Sequence, residues 1–356
     1  MTGRRSDEPS RAFICGSRGR ATVKGMSSEQ SSVAPVAESL GPTSGRITIE
    51  AVGLARHYGD LVAVRDLNLH AVEGEILGFL GPNGAGKTSA IRVLTTILAP
   101  TSGDFAIAGI SHTRPCDIRR RIGVLPESAG YPARQTGREY LRYHARLFGH
   151  TKVSAAEVTE RLLGEVGLAG RAGDLVGGYS RGMRQRLGIA RALVNEPVVV
   201  FLDEPTLGLD PAGQAEVVDL IRRMAGERGV TVLLSTHLLA EVEEVCTRVV
   251  ILNRGRVVVE GTVADVIRTA GSARCALVRV PPNQWSAAFD ALNSLSGARM
   301  VPRGRSVPGE LRVSLGQSGR ADDALRLLLA RDITVTSFEL EGARLSDAFL
   351  AVTGGE

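Results

Sequence analysis

Gly81-Pro82-Asn83-Gly84-Ala85-Gly86-Lys87-Thr88 follows the apolar run of residues 75–80 directly and fits the pattern G-x-x-x-x-G-K-[ST]. A strand that ends in a glycine-rich loop and opens a helix aims several backbone N–H groups at one point. The helix N-terminus adds a positive field there. Phosphates fit such a cradle, with Lys87 reaching the β- and γ-phosphates and the Thr88 hydroxyl ligating Mg²⁺. Ser89, the next residue, completes the expected nucleotide contacts. Lys24, Lys87 and Lys152 are the only lysines in a chain that otherwise writes positive charge as arginine. A compact ammonium fits a tight phosphate loop where a forked guanidinium does not. The stretch predicts binding of a nucleoside triphosphate such as ATP.

Composition sets the frame around it. A chain of 356 residues with 43% hydrophobic residues can build two domains plus extensions. Its four cysteines, Cys15, Cys116, Cys246 and Cys275, form no C-x-x-C pair, which argues against a disulfide frame or a zinc site. The net charge of +5 permits a membrane-surface or nucleic-acid contact without arguing for one. No apolar run approaches the roughly 18 residues that a membrane span needs.

Residues 1–45 read as a disordered Ser-, Gly-, Pro- and Arg-rich tail, or as an over-extended start with Met26 the true initiator. Its basic cluster leaves contact with anionic lipid or RNA open. Residues 46–270 read as one α/β domain. Antiparallel strands are expected at 47–52 and 67–72 around the turn-rich Tyr58-Gly59-Asp60, and a helix from 87 to about 98. A mostly helical insertion covers residues 135–195. A continuous apolar run at 198–202 predicts a strand buried on both faces, and helix (211–228), strand (230–234), helix (238–245) and strand (248–253) follow.

The buried strand ends in Asp203-Glu204. A carboxylate at the C-terminal edge of a parallel sheet, beside the phosphate-loop strand, can hold Mg²⁺; Glu204 would then polarise an attacking water as general base. The insertion ends in Tyr179-Ser180-Arg181-Gly182-Met183, where Ser180 and Gly182 at a helix start make either an ordinary N-cap or a second anion site. Two head-to-tail chains, each completing the other's ATP site, would have a use for the second.

In this order and spacing the motifs resemble those of an ABC-transporter ATP-binding subunit of the drug-resistance-type exporter group, over residues 46–269. Residues 81–88 are similar to the Walker A loop, 179–183 to the signature and Phe201-Leu202-Asp203-Glu204-Pro205 to Walker B. Gly208-Leu209-Asp210 resembles the D-loop, and Asp210 is counted with the nucleotide-binding residues. The resemblance implies that Tyr58 stacks on adenine and that His237, in Ser235-Thr236-His237, contacts the γ-phosphate. The signature departs from L-S-G-G-Q at its first, third and fifth positions. Arg181 then reads either as a charge near the partner's γ-phosphate or as a solvent-facing arginine. After Ile122-Gly123-Val124-Leu125-Pro126 the family's glutamine is Glu127, a carboxylate still able to ligate Mg²⁺ but adding negative charge beside a triphosphate.

Residues 271–356 read as a small α+β domain of split βαβ type, with strands at 275–280, 311–315 and 333–340 and helices at 284–295 and 321–331. Residues 344–350 resemble the terminal helix of the same exporter ATPases. This domain is expected to regulate, to add dimer contact or to act as a passive appendage. The implied fold is therefore α/β, a P-loop NTPase core of ABC ATPase type with an antiparallel β subdomain, a helical insertion and a small C-terminal α+β domain. The implied function is ATP hydrolysis by a homodimer at the cytoplasmic face of the cell membrane, bound to a separate permease, with ATP and Mg²⁺ as cofactors. The cargo would be a hydrophobic or amphipathic drug or antibiotic, and no nucleic acid is expected. An ABC ATPase acting on ribosome or DNA is the alternative, although the chain holds one Walker A and no sustained heptads.

Overall fold

The computed structural model describes residues 45–269, 275–295, 298–300, 309–315, 321–341 and 344–353. Of the tail expected at residues 1–45, residues 1–44 lie outside them. The chain opens with β1 (Ile47–Tyr58) and β2 (Leu61–Val72), then β3 (Ile76–Leu80), which runs through the glycine loop into α1 (Lys87–Leu94). β4 (Ser102–Ile107), β5 (Ile110–Ser111), α2 (Pro115–Arg119) and β6 (Ile122–Leu125) follow. The insertion is α3 (Gly137–Leu147), α4 (Lys152–Glu165) and α5 (Arg181–Ala192). β7 (Val199–Asp203), α6 (Pro211–Arg228), β8 (Thr231–Ser235), α7 (Leu239–Val245), β9 (Arg248–Asn253), β10 (Arg256–Thr262) and α8 (Val263–Thr269) complete the first part.

The central sheet has the order β10-β9-β3-β8-β7-β6, parallel from β9 to β6. β3, β7 and β8 are buried along their whole length. Alternate side chains therefore feed two cores. Leu77, Phe79, Phe201 and Leu233 face the antiparallel layer with Ile49 and Leu69. Ile76, Leu80, Leu202 and Leu234 face the helices, meeting Leu187, Ile221 and Val242. The antiparallel layer has the order β2-β1-β4-β5. Two polar ties join it to the central sheet: the Thr48 and Thr231 hydroxyls lie 2.8 Å apart, and buried Arg248 of β9 donates to the His70 carbonyl of β2 (3.4 Å).

Three expectations change. β8 lies between β3 and β7, so the Asp203 strand is not beside the phosphate-loop strand. The helix after the loop stops at Leu94 instead of running to about 98, because the Thr95 hydroxyl donates back to the Ile91 carbonyl (2.7 Å) and Thr96 takes φ +61°. β1 and β2 are each twelve residues long, extending to the turn itself.

The C-terminal part holds β11 (Cys275–Arg279), α9 (Trp285–Asn293), β12 (Arg299–Met300), β13 (Glu310–Ser314), α10 (Ala321–Ala330), β14 (Ser337–Glu341) and α11 (Leu345–Thr353). Its sheet is antiparallel with the order β12-β13-β11-β14, the split βαβ arrangement, and has its own core of Val278, Leu292, Val313 and Leu328. The strand expected at 333–340 begins only at Ser337. α11 departs from this small domain: Leu345 and Ala348 are buried in the core beneath the central sheet, and the Leu345 N–H donates to Glu243 of α7.

Candidate functional site

The loop between β3 and α1 is shaped before any ligand arrives. Gly86 takes φ +101°, and a Cβ there would meet the Ala63 carbonyl oxygen at 2.1 Å. The first intrahelical bond of α1 runs from Ala90 N–H to Gly86 (2.9 Å), which leaves the N–H groups of Lys87, Thr88 and Ser89 ahead of it. Lys87 is 8% exposed, and its ammonium bridges the loop by donating to the carbonyls of Gly81 (2.6 Å) and Pro82 (3.3 Å). Burial pulls its pKa below the usual lysine value, while Glu204, Asp203 and Glu127 push the other way.

A cleft of about 520 Å³ opens over this loop. Tyr58, Leu61, Val62 and Ala63 form one wall, residues 83–89 the floor, and Glu127, Glu204, Leu207 and His237 the far side. Tyr58 is half-exposed at the end of β1, and the Arg56 guanidinium lies 4.8 Å from its ring centroid. Leu61, Val62 and Ala63 were not foreseen: they are short apolar residues of an ordinary strand and acquire a role only because β2 folds back beside the loop.

Asp203 closes β7 and is 4% exposed. Burial raises its carboxyl pKa, with Ser235 and Thr88 hydroxyls opposing. Its Oδ1 is buried without a hydrogen-bond partner in the protein. Such an acceptor, facing the Thr88 hydroxyl, suits a hard cation with oxygen ligands. Among the described residues no cluster of three or more His, Cys, Asp and Glu could hold a metal by itself. Glu204, the next residue, holds φ +51° and donates its N–H to the Ser235 carbonyl (2.8 Å). Glu204 Oε2 stands 2.7 Å from His237 Nδ1. Strained backbone of this kind collects at functional sites.

Ser180, Gly182 and Asp210 line no part of this cleft. Ser180 N-caps α5, its Oγ accepting from Met183 N–H (3.2 Å), and Asp210 is exposed at the start of α6 without a side-chain cap bond. Tyr179 is buried and donates its hydroxyl to the Arg171 carbonyl (2.7 Å), so an aromatic ring does a core residue's work at the signature's first position. The Arg181 guanidinium covers Gly208, where a Cβ would lie 2.7 Å from Arg181 Cζ. It packs on the residue two before Asp210 and remains exposed to solvent. A second cleft of about 600 Å³, between α4, α5 and α6, is lined by paired charges such as Arg228 with Glu165 and shares no residue with the phosphate site.

The ABC transporter family profile matches residues 64–207. The daunorubicin/doxorubicin resistance ATP-binding protein DrrA of Streptomyces peucetius is 36% identical over 307 residues, covering 86% of this chain and 92% of that protein. A solved ATP-binding subunit of an ABC transporter superposes with a TM-score of 0.57 at 30% identity, over 62% of this chain and 92% of the other. The dimeric bacterial ABC transporter cassette MJ0796 gives a TM-score of 0.56 at 25% identity, over 60% and 98%.

Proposed function

Because the chain belongs to the ABC transporter ATP-binding family and is an ATP-hydrolysing subunit, we propose how its own residues divide the work. Tyr58 stacks on adenine, residues 81–89 wrap the phosphates, and Lys87 neutralises them. Thr88 and Asp203, with Glu127 nearby, hold Mg²⁺, which supplies charge neutralisation at the phosphates. Glu204 takes the proton of the attacking water, and His237 holds Glu204 and the γ-phosphate in register. The observation that carries this assignment is the Glu204–His237 contact of 2.7 Å, on the far wall of the cleft from the phosphate loop.

The separation of Ser180, Gly182 and Asp210 from the cleft supports a head-to-tail pair of chains, in which these residues close the partner's nucleotide site. Among the described residues no helix is long and apolar enough to cross a membrane. A separate permease at the cytoplasmic face of the cell membrane is proposed to dock on the apolar groove of about 310 Å³ lined by Ile97, Val124 and Phe148, with exposed Leu147 and Tyr143 beside it. DrrA's link to daunorubicin and doxorubicin resistance supports an amphipathic drug or antibiotic as cargo. Residues 46–270 form the ATPase in this reading, and residues 271–356 an accessory unit.

Glu204→Gln tests the assignment. It is expected to slow hydrolysis by about 10²–10⁴-fold while leaving ATP affinity intact. The same variant, pulled down with ATP from solubilised membranes of the native host, is expected to bring one polytopic membrane protein at equal yield. Wild-type turnover refutes the base assignment; ribosomal proteins with no membrane partner refute the transporter assignment.

A further inference from the structure

Strand pairing between β7 and β8 ends at Asp203 opposite Ser235, and one further backbone bond, from Glu204 N–H to the Ser235 carbonyl (2.8 Å), follows before the ladder stops short of Thr206 and His237. Beyond it the two segments need another tie. Glu241, in the first turn of α7, lies beneath them and is buried. Its Oε2 accepts from Thr206 Oγ1 (2.8 Å) and from Thr236 Oγ1 (3.3 Å). Thr206 follows Glu204 by two residues, and Thr236 immediately precedes His237. Both threonines are buried, and Thr236 Oγ1 also accepts from Leu238 N–H (3.1 Å).

A glutamate that only complemented a helix N-terminus could do so from solvent. Glu241 is instead withdrawn from water, which costs free energy unless hydrogen bonds offset it. The two it accepts, both on Oε2 while the buried Oε1 has no partner in the protein, join one segment to the other. Neither hydroxyl belongs to α7: Thr236 leads into the helix, and Thr206 lies on the other segment, 35 residues before Glu241.

We infer that Glu241 is a positioning residue, which through Thr206 and Thr236 sets the separation of Glu204 from His237. This rests on the assignment of those two residues to hydrolysis. Misplacing a catalytic group by about 1 Å costs on the order of 10²-fold in rate. Glu241→Ala is therefore expected to lower kcat by about 10–100-fold with KM for ATP within about threefold. Glu241→Gln keeps a carbonyl oxygen that can accept both hydroxyl bonds, and it is expected to recover most of the lost kcat. An effect of the negative charge alone would not be rescued.

The experiment is steady-state ATPase kinetics on the full chain, with a fluorescent ATP analogue titrated to follow binding. Where Glu241→Ala does not fold, Thr206→Val and Thr236→Val replace it. Each deletes one of the two bonds and is expected to lower kcat at constant KM. Wild-type kcat in Glu241→Ala, or in both threonine variants, overturns the inference, as does a Glu241→Gln enzyme no faster than Glu241→Ala. Glu204→Gln, run in parallel, separates the two levels. If it hydrolyses ATP normally, the underlying assignment fails; if it is dead while Glu241→Ala is active, only the positioning role fails.

Discussion

At the scale of single residues, the phosphate cleft concentrates three carboxylates around one ammonium. Glu127, Asp203 and Glu204 all act on Lys87, and Glu127 also helps to raise the pKa of Asp203. Adding a triphosphate to that field brings further negative charge. Glu127 is exposed and occupies the position where the family places a glutamine, so its charge is the part the site can lose. Glu127→Gln is expected to keep or raise the ATPase rate, measured as phosphate release at saturating ATP. A collapse would give the carboxylate a specific role. The phosphate loop was legible here because glycine, lysine and threonine have few substitutes in so tight a turn. Glu241 was not legible. A glutamate in the first turn of a short helix is common, and its partners Thr206 and Thr236 lie 35 and 5 residues away.

At the scale of elements, helix boundaries followed local chemistry. α3 starts at a capping box in which Glu139 N–H donates to Thr136 Oγ1 and Thr136 N–H to Glu139 Oε2, a pattern written as T-x-x-E. α6 runs from Pro211 to Arg228, as its proline start and glycine end announce. Contacts between elements were not written locally. His144 of α3 is half-buried against Arg191 of α5, and burial first, then the Arg191 charge, pulls its pKa down to about 4. Between pH 6.5 and 4 the unfolded chain takes up a proton that folded His144 refuses, so this contact's stability is present above pH 6.5 and lost as pH falls toward 4. The melting temperature should drop over that window, and His144→Gln should drop less. Equal slopes for the two proteins would count against it. Solvent screening at a half-exposed ring keeps the difference modest.

At the scale of the whole molecule, the C-terminal end of the chain returns to the ATPase. Leu345 is fully buried beneath the central sheet rather than in the small domain that precedes it. Leu345→Ala should therefore destabilise the nucleotide-binding part by about 2–5 kcal/mol, read as the unfolding midpoint with and without ATP. A change confined to the small domain would refute the packing. The pairing of two chains belongs to this scale as well. With ATP, Glu204→Gln should elute as a dimer in size-exclusion chromatography with light scattering. Ser180→Arg in the same chain should return it to a monomer, because a bulky cation would fill the proposed phosphate contact at the start of α5. A dimer unaffected by Ser180→Arg would place the interface elsewhere.

The sequence by itself determined the phosphate loop, the acidic strand end, the histidine after the next strand and the buried-strand periodicity, because each is a short-range demand of turn geometry, charge or pleat. Strand order was not among these. β8 between β3 and β7, α11 beneath the central sheet, Arg181 over Gly208 and the Thr206–Glu241–Thr236 link arise only when distant segments compete for the same buried surface. That competition is decided by packing and by the cost of leaving buried polar groups unpaired, and neither is recorded in any one stretch of the chain.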